Sequence, residues 1–294
     1  MTIKNVGIVG CGTMGSGIVQ TVLQGGYEVI VYEPEQNFLD NGLKRILKSL
    51  DKLVKKEAIT PEENQKIQKR LSGTIVLDEL SNCDFIIEAV FEDIKIKQDL
   101  FETLDRICKK ETIFASNTSS LSITQMASFT NRQDQFLGLH FFNPVPMMPL
   151  VEIVKTILVK PEVLMTISDF IDSLGKFSVV ASDNAGFIVN RLLSPFILDA
   201  MQAASNGVAT VRDIDTAMKL GLNHPMGPLM LADFIGLDVI YSASNTMFDE
   251  YKDNRYAPPP ILKNMVLSGT LGLKSGRGFY DWADIKNPVP VMLN

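Results

Sequence analysis

Val6-Gly7-Ile8-Val9-Gly10-Cys11-Gly12-Thr13-Met14-Gly15 is the stretch that decides the fold of this chain. An apolar run beginning at Ile3 and ending at Val9 reads as a buried strand, and helical spacing (Met14, Ile18, Val22) then runs from Thr13 to Gln24, stopped by Gly25-Gly26. A Gly-x-Gly-x-x-Gly set between strand and helix is the context a dinucleotide turn requires. The first glycine permits the tight turn, the second lets a pyrophosphate approach the backbone, and the third lets helix and strand pack closely. The helix start adds free N–H groups and a partial positive charge for the anion. Thr13 and Met14, inside the loop, join Gly10, Gly12 and Gly15 as cofactor-binding candidates. The motif alone is weak, since a tight turn with no ligand has the same spelling; a following acid gives it content. Glu33 ends the next apolar, β-branched run, Glu28–Tyr32, 18 positions after Gly15, where a carboxylate accepts from a ribose 2′-hydroxyl. It would repel a 2′-phosphate, and no arginine follows closely, so NAD is favoured over NADP.

Working outward, further strands are expected at Phe85–Val90, Thr112–Ser116, Phe136–Phe142 and Val151–Val154, most of them separated by helical patterns. That alternation predicts an α/β, Rossmann-type doubly wound parallel sheet covered on both faces. Residues 35–71 interrupt it with two helical patterns, the second opened by Thr60-Pro61-Glu62-Glu63 with a capping residue, a proline at the first helical position and a capping-box acid. They read as a helical hairpin inserted into the first domain. After Ser182 the pattern becomes helical: Gly186–Ala204 with a kink at Pro195, a helix from Thr210, and a third from about Pro228 to Phe248, with no convincing strand before Gly278-Phe279-Tyr280. Two domains are therefore expected, 1–184 binding the nucleotide and 185–294 all-helical.

Composition narrows the function. The 294 residues carry 28 Lys+Arg against 34 Asp+Glu, a net charge of −6, which offers nucleic acid no basic surface. Cys11, Cys83 and Cys108 are too few for a disulfide framework and lack metal-ligand spacing, which suits a reducing compartment. No apolar run approaches the ~20 residues of a membrane span. The first strand leaves no room for a secretory leader, so a cytoplasmic location is expected, or the mitochondrial matrix if a leader has been removed.

Only two histidines are present, and His140 sits inside the apolar run Leu139-His140-Phe141-Phe142-Asn143-Pro144. Near the carboxyl end of a parallel strand, where such sheets bind ligands, an imidazole can exchange a proton close to neutral pH. By itself it is more readily a buried histidine satisfied by a carbonyl. Glu152 shifts the balance, because a carboxylate within Leu150-Val151-Glu152-Ile153-Val154 must find a partner. Ser116-Asn117-Thr118-Ser119-Ser120, after a predicted strand, can bind a substrate oxygen or can be an ordinary turn with a helix cap at Ser122. Asn190 is a polar residue on an apolar helix, more often a packing feature than a catalytic one. His224, before Pro225, reads as structural.

Taken together, ASNTSSLSIT, GLHFFNPVPMMPLVEIV, GFIVNRLL, HPMGPLMLADFIGLD and GLKSGRGFY resemble, in order and across nearly the whole chain, the L-3-hydroxyacyl-CoA dehydrogenase family, its short single-function 3-hydroxybutyryl-CoA members in particular. The resemblance implies NAD-dependent, reversible oxidation of an L-3-hydroxyacyl-CoA, of short chain, to the 3-oxoacyl-CoA, in fatty-acid metabolism. It implies that His140 is the general base of oxidation, that Glu152 pairs with it, and that Ser119 and Asn190 contact the 3-oxygen or the nicotinamide region. Glu92, Lys97, Asn143 and Lys274 match positions that touch the cofactor. Ser49 and Lys56 match positions that touch coenzyme A, a reading in keeping with Lys44, Arg45, Lys48, Lys52, Lys55 and Lys56 on one hairpin helix, although most such helices are simply solvated lysine faces. Coenzyme A would bind across the hairpin and the cleft between domains, and a homodimer is implied. Ala185 and Met230 depart from the family's usual proline and glutamate; they bear on hinge and acyl pocket rather than on reaction type. A dehydrogenase of small hydroxy acids and a non-catalytic NAD sensor are the competing readings, the first without use for the hairpin lysines, the second without use for the polar set around His140.

Overall fold

The apolar strands read from the sequence meet in one eight-stranded sheet. In this computed structural model, which describes residues 2–293, the chain separates into two units, one up to Phe187 and one from Ile188 onward. The first unit contains β1 (Asn5–Val9), α1 (Thr13–Gln24), β2 (Glu28–Tyr32), α2 (Gln36–Lys55), α3 (Pro61–Lys69), β3 (Leu71–Thr74), β4 (Phe85–Glu88), α4 (Ile94–Ile107), β5 (Ile113–Ser116), α5 (Ile123–Ala127), β6 (Phe136–Phe141), β7 (Leu150–Lys155), α6 (Pro161–Ser173) and β8 (Phe177–Ser182). The strand order is β3-β2-β1-β4-β5-β6-β7-β8, a Rossmann-type α/β arrangement with β1 inside the sheet.

Side-chain alternation fills both faces. Ile8, Phe85, Ile87, Ile113, Ala115, Leu137, Leu139 and Ile153 pack in one core cluster, while their neighbours Val9, Ile86, Phe114, Phe136 and Val154 pack in the other. The hairpin is as expected: α2 turns Leu39, Ile46 and Leu50 into the first cluster, and α3 starts on a reciprocal capping box between Thr60 and Glu63. Arg45 of α2 donates to the Cys11 carbonyl and to Ser16 Oγ, both at 3.1 Å, and so ties the hairpin to the glycine turn.

Three departures from the sequence reading concern the sheet. It is not wholly parallel: β7 runs antiparallel to β6, because the eight residues between them are too few for a crossover but suffice for a reversal. β3 and β8, both edge strands, were not expected. Leu71-Ser72-Gly73-Thr74 has almost no apolar signal and is held by its ladder to β2, and β8 leaves Phe177, Val179 and Val180 exposed, so neither shows the burial pattern of an inner strand.

The second unit contains α7 (Val189–Ser205), α8 (Val211–Gly221), α9 (Pro228–Ile235), α10 (Leu237–Tyr251), α11 (Pro260–Leu267) and a short ribbon of β9 (Tyr280–Asp281) with β10 (Val289–Pro290). It is therefore mainly, not wholly, helical. The single helix expected from Pro228 to Phe248 is two, because Gly236 at φ +103° breaks the spiral after a pattern that carries on in phase. α7 starts at Val189 rather than Gly186, since Gly186 and Phe187 take positive φ. Ile197, Leu198, Met201, Leu229, Leu237, Leu262, Phe279 and Trp282 form its core.

Candidate active site

The carboxyl ends of the first unit's strands carry the candidate residues in spatial rather than sequence order. Glu33 follows β2, the glycine turn follows β1, Glu88 and Glu92 follow or end β4, the serine-rich turn follows β5, and His140 and Asn143 lie at the end of β6. At about 4.8 Å per strand, β1 and β6 are roughly 14 Å apart, a gap that a ligand lying along the edge would span.

The turn after β1 has the shape of an anion cradle. Gly10 has φ +98°, and a Cβ on Gly15 would fall 1.9 Å from the Gly10 carbonyl oxygen. A Cβ on Gly12 would meet nothing within 4 Å, so the open space beside the loop lies where a pyrophosphate would approach. Gly12 caps α1 without any side-chain bond to the first N–H groups, and Thr13 is exposed beside it with Met14 half-buried. The Glu33 carboxylate accepts from the Cys11 N–H at 2.5 Å, at the rim of the same turn. These residues fit a dinucleotide. Burial pushes the Cys11 thiol up to about 11, so this loop cysteine is a packed thiol rather than a nucleophile.

His140 and Glu152 stand directly opposite each other on antiparallel β6 and β7. Their side chains are on the same face, with His140 Nδ1 2.7 Å from Glu152 Oε2; the imidazole is 6% exposed and the carboxylate fully buried. The rings of Phe142 and Phe187 flank the imidazole, at centroid distances of 4.6 and 5.6 Å. With a proton on Nδ1, the carboxylate accepts it and Nε2 is left as the imine nitrogen.

Between these two places lies a dense polar knot. Glu92 Oε1 accepts from Thr118 Oγ1 (2.5 Å), the Ser119 N–H (3.0 Å), and the N–H and hydroxyl of Ser120 (3.3 and 3.1 Å). Burial would raise the Glu92 carboxyl, but Lys97 and these donors outweigh it and hold it below the usual range. Lys97, 1% exposed, faces inward: its ammonium is on Glu88 and 3.3 Å from Glu92. Ser119 itself is exposed, and Asn117 Oδ1 accepts from the Phe141 N–H, tying the turn to β6. Ser122 does cap α5, accepting from Gln125 N–H, so the turn reading and the site reading describe adjacent residues.

Asn143 is exposed in the loop between β6 and β7. That loop is pinned by Lys176, whose buried ammonium donates to the Val145 and Met148 carbonyls, each at 2.7 Å. On α2, Ser49 is half-buried and Lys56 is exposed at the C-cap; Lys44, Leu47, Lys48, Asp51, Lys52 and Lys55 line a shallow groove of about 330 Å³ on that helix. In the second unit, Asn190 is the second residue of α7, and Lys274 donates to Asp238 Oδ2 at 2.6 Å. Glu88 and Lys176 were missed by the sequence reading. Glu88 was findable: a carboxylate ending the apolar Phe85-Ile86-Ile87 raises the same question as Glu152.

A mostly parallel doubly wound sheet with this glycine turn, its following acid and a buried imidazole–carboxylate pair defines an NAD-binding oxidoreductase architecture. The model of the 3-hydroxyacyl-CoA dehydrogenase NAD-binding domain matches residues 5–184, and that of the C-terminal domain of the same family matches residues 186–282. The chain belongs to the 3-hydroxyacyl-CoA dehydrogenase family, is an oxidoreductase of that family, and takes NAD as its cofactor. It is 44% identical over 282 residues to a 3-hydroxybutyryl-CoA dehydrogenase of Mycobacterium tuberculosis, covering 95% of this chain and 99% of the relative. A 3-hydroxybutyryl-CoA dehydrogenase of Clostridioides difficile is 45% identical over 94% of this chain and 98% of its own length. The crystal structure of (S)-3-hydroxybutyryl-CoA dehydrogenase PaaH1 from Ralstonia eutropha superposes with a TM-score of 0.92 at 39% identity, covering 94% of this chain and 98% of that one. No helix among the described residues is long and apolar enough to cross a membrane.

Proposed function

We propose that this protein interconverts a short-chain L-3-hydroxyacyl-CoA, 3-hydroxybutyryl-CoA being the expected substrate, and its 3-oxoacyl-CoA. The observation that carries the reading is the 2.7 Å His140–Glu152 contact at the carboxyl edge of an NAD-binding sheet, and the full-length similarity to 3-hydroxybutyryl-CoA dehydrogenases supports the substrate class. NAD, when bound, supplies the hydride acceptor. In oxidation, His140 Nε2 takes the hydroxyl proton while Glu152 holds Nδ1–H, fixes the tautomer and stabilises the positive charge that develops on the ring. In reduction the same imidazolium returns the proton to the 3-oxygen. Phe142 and Phe187 keep water from the ring's flanks. Ser119 and Asn190 are assigned to the 3-oxygen or nicotinamide region, Glu33 to the ribose, and Glu92, Lys97, Asn143 and Lys274 to the rest of the cofactor. Ser49 and Lys56 are assigned to coenzyme A. A cytoplasmic homodimer belongs to the same reading, and sedimentation of the purified protein tests the dimer. The decisive assay is oxidation of NADH with acetoacetyl-CoA, followed at increasing acyl length: turnover greatest at four carbons is expected, and no NADH oxidation at any pH from 5 to 9 would overturn the assignment.

A further inference from the structure

Glu88 is fully buried at the end of β4, and every oxygen lone pair it offers is engaged. Oε1 accepts from Lys97 Nζ (2.6 Å) and the Val90 N–H (2.7 Å); Oε2 accepts from Lys97 Nζ (2.8 Å) and Ser116 Oγ (2.5 Å). Ser116 Oγ in turn accepts from the Thr118 N–H at 3.2 Å, and the Asn117 N–H donates to the Glu88 carbonyl at 2.8 Å. The same Lys97 ammonium reaches Glu92, whose other oxygen gathers the Thr118–Ser120 donors. One ammonium thus ties two carboxylates, and between them they hold the Ser116–Ser120 turn. The segment just after Glu88 also abuts the glycine turn: a Cβ on Gly10 would lie 2.5 Å from the Ala89 carbonyl oxygen.

A buried ion pair is a poor source of stability, since apolar residues of similar volume often serve as well, and its best-attested use is to fix one arrangement over others. Here the arrangement fixed is the spacing between the glycine turn and the serine turn. We propose that Glu88 is a positioning residue for the cofactor: through Lys97 and Ser116 it sets the Glu92 carboxylate and the Ser116–Ser120 turn against the dinucleotide loop. Glu88 need not touch the cofactor itself. The inference rests on reading this edge as the NAD site, but not on the acyl-CoA assignment.

The test is NADH affinity, followed by cofactor fluorescence without any acyl substrate, in the parent, Glu88→Gln and Ser116→Ala. Glu88→Gln cannot accept from all four donors, and its dissociation constant for NADH should rise at least tenfold, while KM for acetoacetyl-CoA at saturating NADH rises by a clearly smaller factor, through Ser119 on the same turn. Ser116→Ala removes one link without leaving a buried charge alone and should raise the NADH constant about threefold to fivefold. If Glu88→Gln does not fold, Ser116→Ala decides. NADH affinity within twofold of the parent in the folded variants, or a parallel loss of acyl-CoA binding, would overturn the proposal. A parent that failed to bind NADH would overturn the reading of the edge itself.

Discussion

Buried carboxylates occur in both units, and their partners differ in kind. In the first, Glu152 faces an imidazole and Glu88 an ammonium. In the second, Asp233 accepts from the Phe279 and Tyr280 N–H groups and the Trp282 indole, and Asp215 accepts from the Leu229 and Met230 N–H groups and the Tyr280 hydroxyl. Among the described residues, no ion pair reaches either aspartate. The same chemical group therefore does two jobs. Set against a base or a cation, near the carboxyl edge of the sheet, it orients, on the proposed reading, groups that face the ligand. Set against neutral donors, it is a staple: Asp215 holds the start of α9, Asp233 the residues around β9, and Tyr280 joins the two by bonding to both. The donor's identity, not the depth of burial, separates site from scaffold.

That distinction can be broken most directly at the imidazole. His140→Ala should lower kcat by about 10² to 10⁴ with the fold intact, and Glu152→Gln, which keeps shape but loses charge, by a smaller factor of about 10–100; steady-state kinetics beside circular dichroism would read both. Full turnover in His140→Ala would reduce the first unit's pair to another staple. Asp233→Asn should do the reverse. Its amide presents N–H groups to donors already placed, a loss of about 2–3 kcal/mol, and a fall in Tm of about 5–10 °C, with kcat per folded molecule little changed. A large fall in kcat at constant Tm would erase the contrast.

Acid sharpens the comparison further. Glu92 is held below its ordinary value of 4.5, so its contribution is full above that value and is lost as pH falls through the depressed one. Asp233 is raised above its ordinary 3.8, by burial first and then by the charge of Asp215, so its contribution is full below 3.8 and is lost as pH rises through the raised value. On acidification the first unit should therefore fail before the second. Trp282, the one tryptophan, reports the second unit, so NADH binding should vanish at a higher pH than the change in Trp282 fluorescence. The opposite order would show that the two carboxylates do not govern their units. The smallest effect belongs to the exposed hairpin: Lys56→Ala should raise KM for a coenzyme A ester by about 2–5-fold, less at high salt.

The glycine turn, its acid, the inner strands and the hairpin were legible because each rests on local pattern: apolar runs buried on both faces, capping chemistry at Thr60, glycines at a strand-to-helix turn. The edge strands were not, because β3 and β8 are defined by ladder bonds and not by side chains. The break at Gly236 was hidden by a hydrophobic pattern that continues across it. Glu152 could be flagged as a carboxylate in need of a partner, but that the partner is 2.7 Å away on the neighbouring strand follows from the reversal of β7, which puts residues 12 apart side by side. Glu88 and Lys97, nine residues apart, meet only because β4 and α4 pack together.

The sequence by itself determined that this is a nucleotide-binding α/β chain with an inserted hairpin and a helical second half, since hydrophobic period and turn chemistry act over a few residues and survive without their surroundings. Tertiary structure alone decided which buried charges face which. A carboxylate's role depends on the donors around it, and those arrive from strands and helices distant in sequence once the sheet has set its order and register.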